Sequence, residues 1–279
     1  MKRKDRIKLD FTRNWKLPGK ERLSSFLKPS ADFKKKLKNG ITWLVNEDIA
    51  IYASADNYIE WTIISSGAYE DEISKLIRIS LKPGGVALDI GGNIGLQSLR
   101  MSRIVGAEGT IFAFEPLIHL QKKFKDNMAL NIADNITLFP FALADFEGET
   151  KFAVNEALWN QGTFSLDDKG DGTTAQKIII KIADEMPEIR DLISLSLIKI
   201  DVEGFELPVL KGLSKTLAKH KPRIIFEYEE NYWQKKGHHM EECFAFLIAL
   251  DYKLYQITPV GCEYLEKVAD VASGNLFCL

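Results

Sequence analysis

The stretch Val86-Ala87-Leu88-Asp89-Ile90-Gly91-Gly92-Asn93-Ile94-Gly95 decides the fold. Its first half is a short apolar run preceded by Pro83-Gly84-Gly85 and followed by Gly91-Gly92, the pattern of a buried strand. From Ile94 to Ile104 the apolar residues take helical spacing. Working outward, Thr110–Phe114 reads as a second buried strand and Leu117–Asn131 as a helix with Leu120, Phe124, Met128 and Leu130 near one face. Ile136–Phe141 reads as a third strand, Leu192–Asp201 holds a fourth, and Pro222–Tyr228 is a fifth. Leu207–His220 and Met240–Leu250 have helical spacing, and Tyr252–Thr258 with Leu276–Leu279 fits a closing antiparallel pair. Strand–helix alternation of this kind predicts an α/β fold, a parallel sheet with helices on both faces. Ligands then gather at the carboxyl ends of the strands. Residues 155–175, rich in Asn, Gly, Asp and Thr, read as a loop excursion over the site.

The turn after the first strand carries chemistry. Its glycines permit positive φ and a close backbone approach, and the N–H groups opening the next helix favour anions. The spacing of Gly91, Gly92 and Gly95 is not the G-x-G-x-x-G of dinucleotide-binding domains. Asp89 stands two residues before the first glycine, where it would repel a pyrophosphate and welcome a ligand carrying an ammonium and a sulfonium. Glu115 ends the second strand, 24 residues after Gly91, where an acid accepts hydrogen bonds from a ribose diol. The alternatives are a strand-end polar role for Asp89 and a helix-dipole role for Glu115. His119 follows at a helix start, near the adenosine or simply packed.

The chain has 279 residues, 46% hydrophobic and 27% charged, in the range of an ordinary soluble globular protein. The net charge of -2 hides an asymmetry: residues 1–40 hold 14 Lys and Arg against 4 Asp and Glu, while the other 239 hold 23 against 35. Residues 1–45 are expected to form a basic, partly helical extension anchored by Trp15, Phe26, Leu27, Phe33 and Leu37, and residues 46–279 the main domain. A basic arm also suits a polyanion, so nucleic acid is the competing partner, disfavoured because no aromatic-interleaved groove pattern accompanies it. No apolar run approaches the ~20 residues of a transmembrane helix. Cys243, Cys262 and Cys278 match no metal motif and read as reduced thiols in a cytoplasmic protein.

In order along the chain stand Ser66-Gly67-Ala68-Tyr69-Glu70, the Leu88–Gly95 turn, Ala113-Phe114-Glu115-Pro116, Asn127–Asn131, Phe141-Ala142-Leu143-Ala144-Asp145, Asn160–Leu166 and Leu197-Ile198-Lys199-Ile200-Asp201-Val202-Glu203-Gly204-Phe205-Glu206. On this ordered set the chain resembles the FkbM-type S-adenosylmethionine-dependent methyltransferases over roughly residues 48–279. Gly92 stands where that family usually shows alanine. The resemblance implies a Rossmann-like class I methyltransferase fold, with seven strands of which the last is antiparallel. It implies methyl transfer from S-adenosylmethionine, most often to a hydroxyl of a sugar, glycan or natural product. It places Glu70, Asp89, Gly91, Asn93 and Gly95 at the cofactor, with Glu115 and Pro116 at the ribose and Ala142, Leu143 and Asp145 along the adenine edge. Asn160 and Gly162 would lie in a loop near the site.

Methyl transfer to an alcohol is an in-line displacement, so positioning dominates and a general base assists. Lys199, Asp201 and Glu203 are the catalytic candidates. Strand alternation puts Lys199 and Asp201 on one face, and a lysine among isoleucines calls for an acidic partner. Asp201 is the first choice for base or acceptor-positioning group. Glu203 is the second, with capping of the following turn as its alternative. Glu227 can join Asp201 to hold Mg²⁺, which nothing in the sequence requires. Tyr232 or Trp233 can stack on a sugar face or pack on a helix, and His238 and His239 read as solvated. The expected partners are a small-molecule or glycan acceptor and, for assembly, a second copy in a homodimer. The competing functions are a nucleic-acid- or protein-modifying methyltransferase, a nicotinamide-dependent oxidoreductase and a non-catalytic binding module.

Overall fold

The computed structural model describes residues 3–14, 29–154 and 174–279. Trp15, Phe26 and Leu27 of the basic arm, and Asn160 and Gly162 of the expected loop, lie outside the described residues. The elements run α1 (Arg3–Arg13), α2 (Ala31–Lys36), β1 (Gly40–Trp43), β2 (Ala50–Ala53), α3 (Tyr58–Ser66), α4 (Asp71–Ser80), β3 (Val86–Ile90) and α5 (Leu96–Val105). Then come β4 (Thr110–Phe114), α6 (Ile118–Asn131), β5 (Ile136–Phe139), β6 (Ala142–Leu143), β7 (Gly148–Val154), β8 (Thr174–Lys181) and α7 (Pro187–Arg190). The last part holds β9 (Leu197–Ile200), α8 (Glu206–Gly212), α9 (Ser214–His220), β10 (Arg223–Tyr228), α10 (Glu230–Lys235), α11 (Met240–Ala249), β11 (Leu254–Thr258), β12 (Gly261–Tyr264) and β13 (Gly274–Cys278).

The main sheet has the order β12-β11-β13-β10-β9-β3-β4-β5. β5, β4, β3, β9 and β10 are parallel; β13 inserts antiparallel between β10 and β11. The seven expected strands are present, and the pairing of the last two segments is antiparallel as expected. An eighth, β12, extends the edge as a hairpin partner of β11. Its Gly-Cys-Glu-Tyr sequence is exposed throughout, so it has no apolar pattern to announce it.

Both faces of the sheet are buried, because successive side chains on a strand point to opposite sides. Ala87, Leu197 and Ile225 join Ile63, Ile77, Leu99 and Phe124 on one face. Leu88, Ile198 and Ile224 join Leu210, Trp233 and Leu247 on the other. Each such fully buried aliphatic contributes about 1.5–3 kcal/mol. The predicted helix over Leu207–His220 divides at Leu213 into α8 and α9. The chain approaches β6 closely here: a Cβ on Gly212 would sit 2.1 Å from the Ala144 carbonyl oxygen.

Two regions depart from the sequence reading. A second sheet, β6-β8-β7, flanks the first. On β8, Lys177, Ile179 and Lys181 are exposed while Ile178 and Ile180 are buried, an alternation that marks a half-buried strand. Near the amino terminus β1 and β2 pair as an antiparallel hairpin that the sequence reading did not include. The described part of the arm is tied to the body. Thr12 Oγ1 donates to the Ser65 carbonyl at 2.5 Å, and the Arg13 guanidinium donates to the carbonyls of Ile64 and Trp43.

Candidate active site

The glycine turn closes the carboxyl end of β3 and opens α5. Gly91 has φ of 84° and its N–H donates to the Phe114 carbonyl at 2.9 Å. A Cβ there would lie 1.9 Å from the carbonyl oxygen of Asp201, so only glycine lets β3 and β9 end side by side. Gly95, with φ of 90°, lies against the Phe124 ring. Asn93, between them, takes φ of 50° and donates its N–H to Glu115 Oε2 at 2.9 Å.

Glu115 follows β4 and is 4% exposed. Its other oxygen accepts the Leu117 N–H at 2.8 Å. Burial pushes this carboxyl up to about 7 against the pull of those two N–H groups. It lines a cavity of about 490 Å³ at the carboxyl edge of β3, β4, β9 and β10. Glu70, Gly91, Asn93, Pro116, Ala142, Leu143, Asp201 and Glu203 line it too. Of the remaining expected residues, Asp145 is exposed, and Gly95, Asp89 and Lys199 stand outside the lining.

Asp89 is fully buried on β3, two residues before the glycine turn. Ser98 Oγ donates to its Oδ2, while its Oδ1 has no hydrogen-bond partner among the described residues. Burial raises its pKa, opposed chiefly by the charge of Lys199. Lys199 is its register partner on β9 and reaches Asp201 Oδ2 with Nζ at 2.8 Å, the acidic partner that burial demands. Burial pulls the Lys199 ammonium toward losing its proton, but Asp201, Glu70 and Asp89 outweigh it and raise its pKa.

The turn after β9 separates Glu203 from Glu206. Glu206 accepts the N–H groups of Val202 at 2.9 Å and Gly204 at 3.0 Å, so it caps the turn. That leaves Glu203, at φ of 54°, on the cavity wall. Among the described residues no group donates a hydrogen bond to the carboxylate of Glu203 or Glu227. Burial first, then the negative charges of Asp201 and Glu227, push Glu203 up to about 9. Burial and Asp201 push Glu227 up to about 8. Three non-glycine residues in left-handed backbone, Glu70, Asn93 and Glu203, thus line one cavity. Clustering of such strain is a feature of functional sites.

The opposite wall is apolar. Phe114 stacks on Phe139 at 5.1 Å and meets Phe141 at 5.9 Å, with Leu143, Ile178 and Ile180 alongside. Sequence reasoning passed over Ile178 and Ile180, although their alternation was the available signal. Tyr58, Thr150, Phe205 and Lys236 also line the cavity, and no local pattern marks them. Tyr232 joins the lining, whereas Trp233 is buried and packs edge-on against Tyr228 at 5.1 Å. His239 is exposed as expected. His238 is instead half-buried against the Phe205 ring, and burial lowers its pKa. His119 is half-buried and stands outside the lining. Among the described residues, no three His, Cys, Asp or Glu side chains gather as a metal site. No helix among them is long and apolar enough to cross a membrane.

The profile of the Methyltransferase FkbM domain matches residues 89–254, from the buried acid of β3 to the start of β11. This chain belongs to the FkbM methyltransferase family. Methyl transfer is therefore its activity class. "Methyltransferase 1" of Beauveria bassiana is 25% identical over 187 residues, 61% of this chain and 74% of that one. The hexuronic acid methyltransferase AglP of Haloferax volcanii is 28% identical over 148 residues, 53% of this FkbM chain and 58% of its own length. A solved methyltransferase FkbM from Methylobacillus flagellatus KT aligns with a TM-score of 0.45 and 14% identity, covering 80% of this chain and 53% of that one.

Proposed function

We propose that this FkbM protein transfers the methyl group of S-adenosylmethionine to a hydroxyl oxygen of a sugar, glycan or natural product. The observation that carries the reading is a single cavity with Glu115 and an aromatic wall at one end and the uncapped Glu203 and Glu227 at the other. The cofactor passes a test of fit on the donor set. Six acidic groups (Glu70, Glu115, Asp201, Glu203, Glu227 and Glu229) and one ammonium, Lys236, are found among the lining residues, and a bound cation would favour the ionised form of those that burial keeps protonated. A ligand bearing a sulfonium and an ammonium suits that field, and a pyrophosphate does not. The same field gives the polyanion alternative no support from the cavity.

When bound, S-adenosylmethionine supplies a methyl group already activated by the sulfonium charge. Glu115 would accept the ribose hydroxyls, since its backbone donors hold the carboxylate in one orientation and each oxygen keeps a lone pair. Phe114, Phe141 and Leu143 offer the flat apolar surface an adenine needs. Asp201, held by Lys199, would orient the acceptor. Glu203 is the better base: it faces the cavity, and its raised proton affinity matches the proton of a weakly acidic hydroxyl. Glu227 beside it shares the charge of the departing proton.

Calorimetric titration with S-adenosylhomocysteine, with NAD as control, tests the cofactor. Micromolar binding of the first alone is expected, weakened by roughly tenfold or more in Glu115→Ala, as loss of charged hydrogen bonds implies. Binding of NAD alone, or unchanged affinity in Glu115→Ala, overturns the reading. Mass spectrometry of a sugar and glycolipid-precursor panel then identifies the acceptor by a gain of one methyl group on oxygen.

A further inference from the structure

Behind the cavity wall lies a polar layer that meets the cavity at Asp201 and Glu70. Lys199 projects from β9, flanked by Asp89 on β3 and by the apolar Ile225 on β10 as its register partners. Its ammonium bonds Asp201 at 2.8 Å, with only 7% of the lysine side chain exposed. Glu70, at the start of α4, is held from α5 by Gln97 Nε2 at 2.6 Å. The other cation of this layer is Arg100 of α5, paired with Glu47 at 2.7 Å and bonded to the Tyr69 carbonyl. Its charge also reaches Glu70, so Glu70 draws on both cations, while Asp89 and Asp201 of the sheet have Lys199 as their chief counter-charge.

We propose that Lys199 is a positioning residue whose buried ammonium is the shared counter-charge for Asp89, Glu70 and Asp201, and so fixes the Asp201 carboxylate at the cavity wall. Burial raises the proton affinity of Asp89 and Glu70, and the Lys199 ammonium opposes it in both, so the layer ionises readily only while that ammonium is present. Charges taken out of water demand a partner, and removing one partner strands the others. On the cavity side Glu203 of the turn and Glu227 of β10 feel the same ammonium, so its removal makes each hold its proton more tightly, while Glu206 is held by the N–H groups of its own turn.

The test is a series of thermal melts of the wild type and Lys199→Met between about pH 6 and about pH 9. Lys199 has a raised pKa, so it stays charged throughout that window and the titration belongs to the carboxylates. Without the ammonium they must ionise unpaired as pH rises, so the Tm deficit of Lys199→Met should at least roughly double across the window. Lys199→Met/Asp201→Asn, which removes both partners, should recover part of the loss. It also serves if the single variant does not fold. A Tm deficit that is flat with pH, or a double variant less stable than Lys199→Met, overturns the proposal. The kinetic readout rests on the methyl-transfer reading: the acid limb of kcat/KM should move up by about one pH unit, a roughly tenfold loss below the limb and little above it. A merely structural role lowers activity equally at every pH. If the wild type binds no S-adenosylhomocysteine, the cavity's reading falls while the melts still decide Lys199. If it binds and the deficit is flat, Lys199 falls and the cavity's reading stands.

Discussion

Glu115 and Glu203 line the same cavity, both at strand ends of the same sheet, yet the fold treats them differently. Glu115 is gripped by the N–H groups of Asn93 and Leu117, and the chain around it is stapled by Gly91 and Gly92 bonding to the Phe114 carbonyl. Glu203 is placed by its backbone alone, because Glu206 takes the N–H groups of its turn. The difference separates two tasks. A carboxylate with fixed donors recognises a hydroxyl pattern in one orientation. A carboxylate without donors keeps a high proton affinity and, once ionised, is the stronger proton acceptor.

The largest effect should come at the Glu203 end. Glu203→Gln keeps the shape and removes the base, so kcat/KM should fall by about 10²–10⁴ while S-adenosylhomocysteine affinity stays within about threefold. Equal losses in both would erase the distinction between the two ends. The parent should also gain activity as pH rises toward about 9, where Glu203 loses its proton. Stability runs the other way. A carboxyl with a raised folded pKa favours the folded state fully below its unfolded value of 4.5, and that advantage is lost as pH climbs through about 9. Glu203→Gln should therefore flatten the fall in Tm between about pH 6 and about pH 9.

Next in size is Gly91→Ala, in which strand-end contact and positive φ oppose the new methyl together. A loss of about 3 kcal/mol or more in urea unfolding is expected. A loss under about 1 kcal/mol would mean that β3 and β9 do not end in contact. At the gripped end, Glu115→Gln should weaken S-adenosylhomocysteine by about tenfold to a hundredfold, with any change in kcat much smaller. A kcat loss exceeding the affinity loss would move Glu115 into the chemistry. The smallest effect is expected at Gly92, where the FkbM pattern usually carries alanine. A Cβ there would stand 2.7 Å from Phe124 Cε1, so the ring must give way. Gly92→Ala should change stability by less than about 1.5 kcal/mol, checked in the same urea series.

The legible parts of this molecule are those with a local period. β3, β4 and β10 are apolar runs ended by glycine or acid, and α6 carries its apolar face in helical register. The Lys199–Asp201 pair also followed from spacing, since residues two apart share a face of a strand. Asp89 was legible as an acid before the glycines, but its complete burial and its bond from Ser98 were not. Trp233 and Tyr232 show the limit of local reading: adjacent aromatics of one helix, one in the core and one on the cavity.

By itself the sequence determined seven strands of the main sheet and the helices between them, the glycine turn, the acid after β4 and the membership of the FkbM family, because each is written in residues close along the chain. Tertiary structure decided which acids face the cavity, which are capped and which are buried. Those outcomes depend on contacts across long separations: Asp201 against Gly91, Lys199 beside Asp89 in register, and Gln176 of β8 bonding the Pro116 carbonyl. A carboxylate's chemistry follows from its neighbours' charge and the water it loses, and both are set only when distant segments meet.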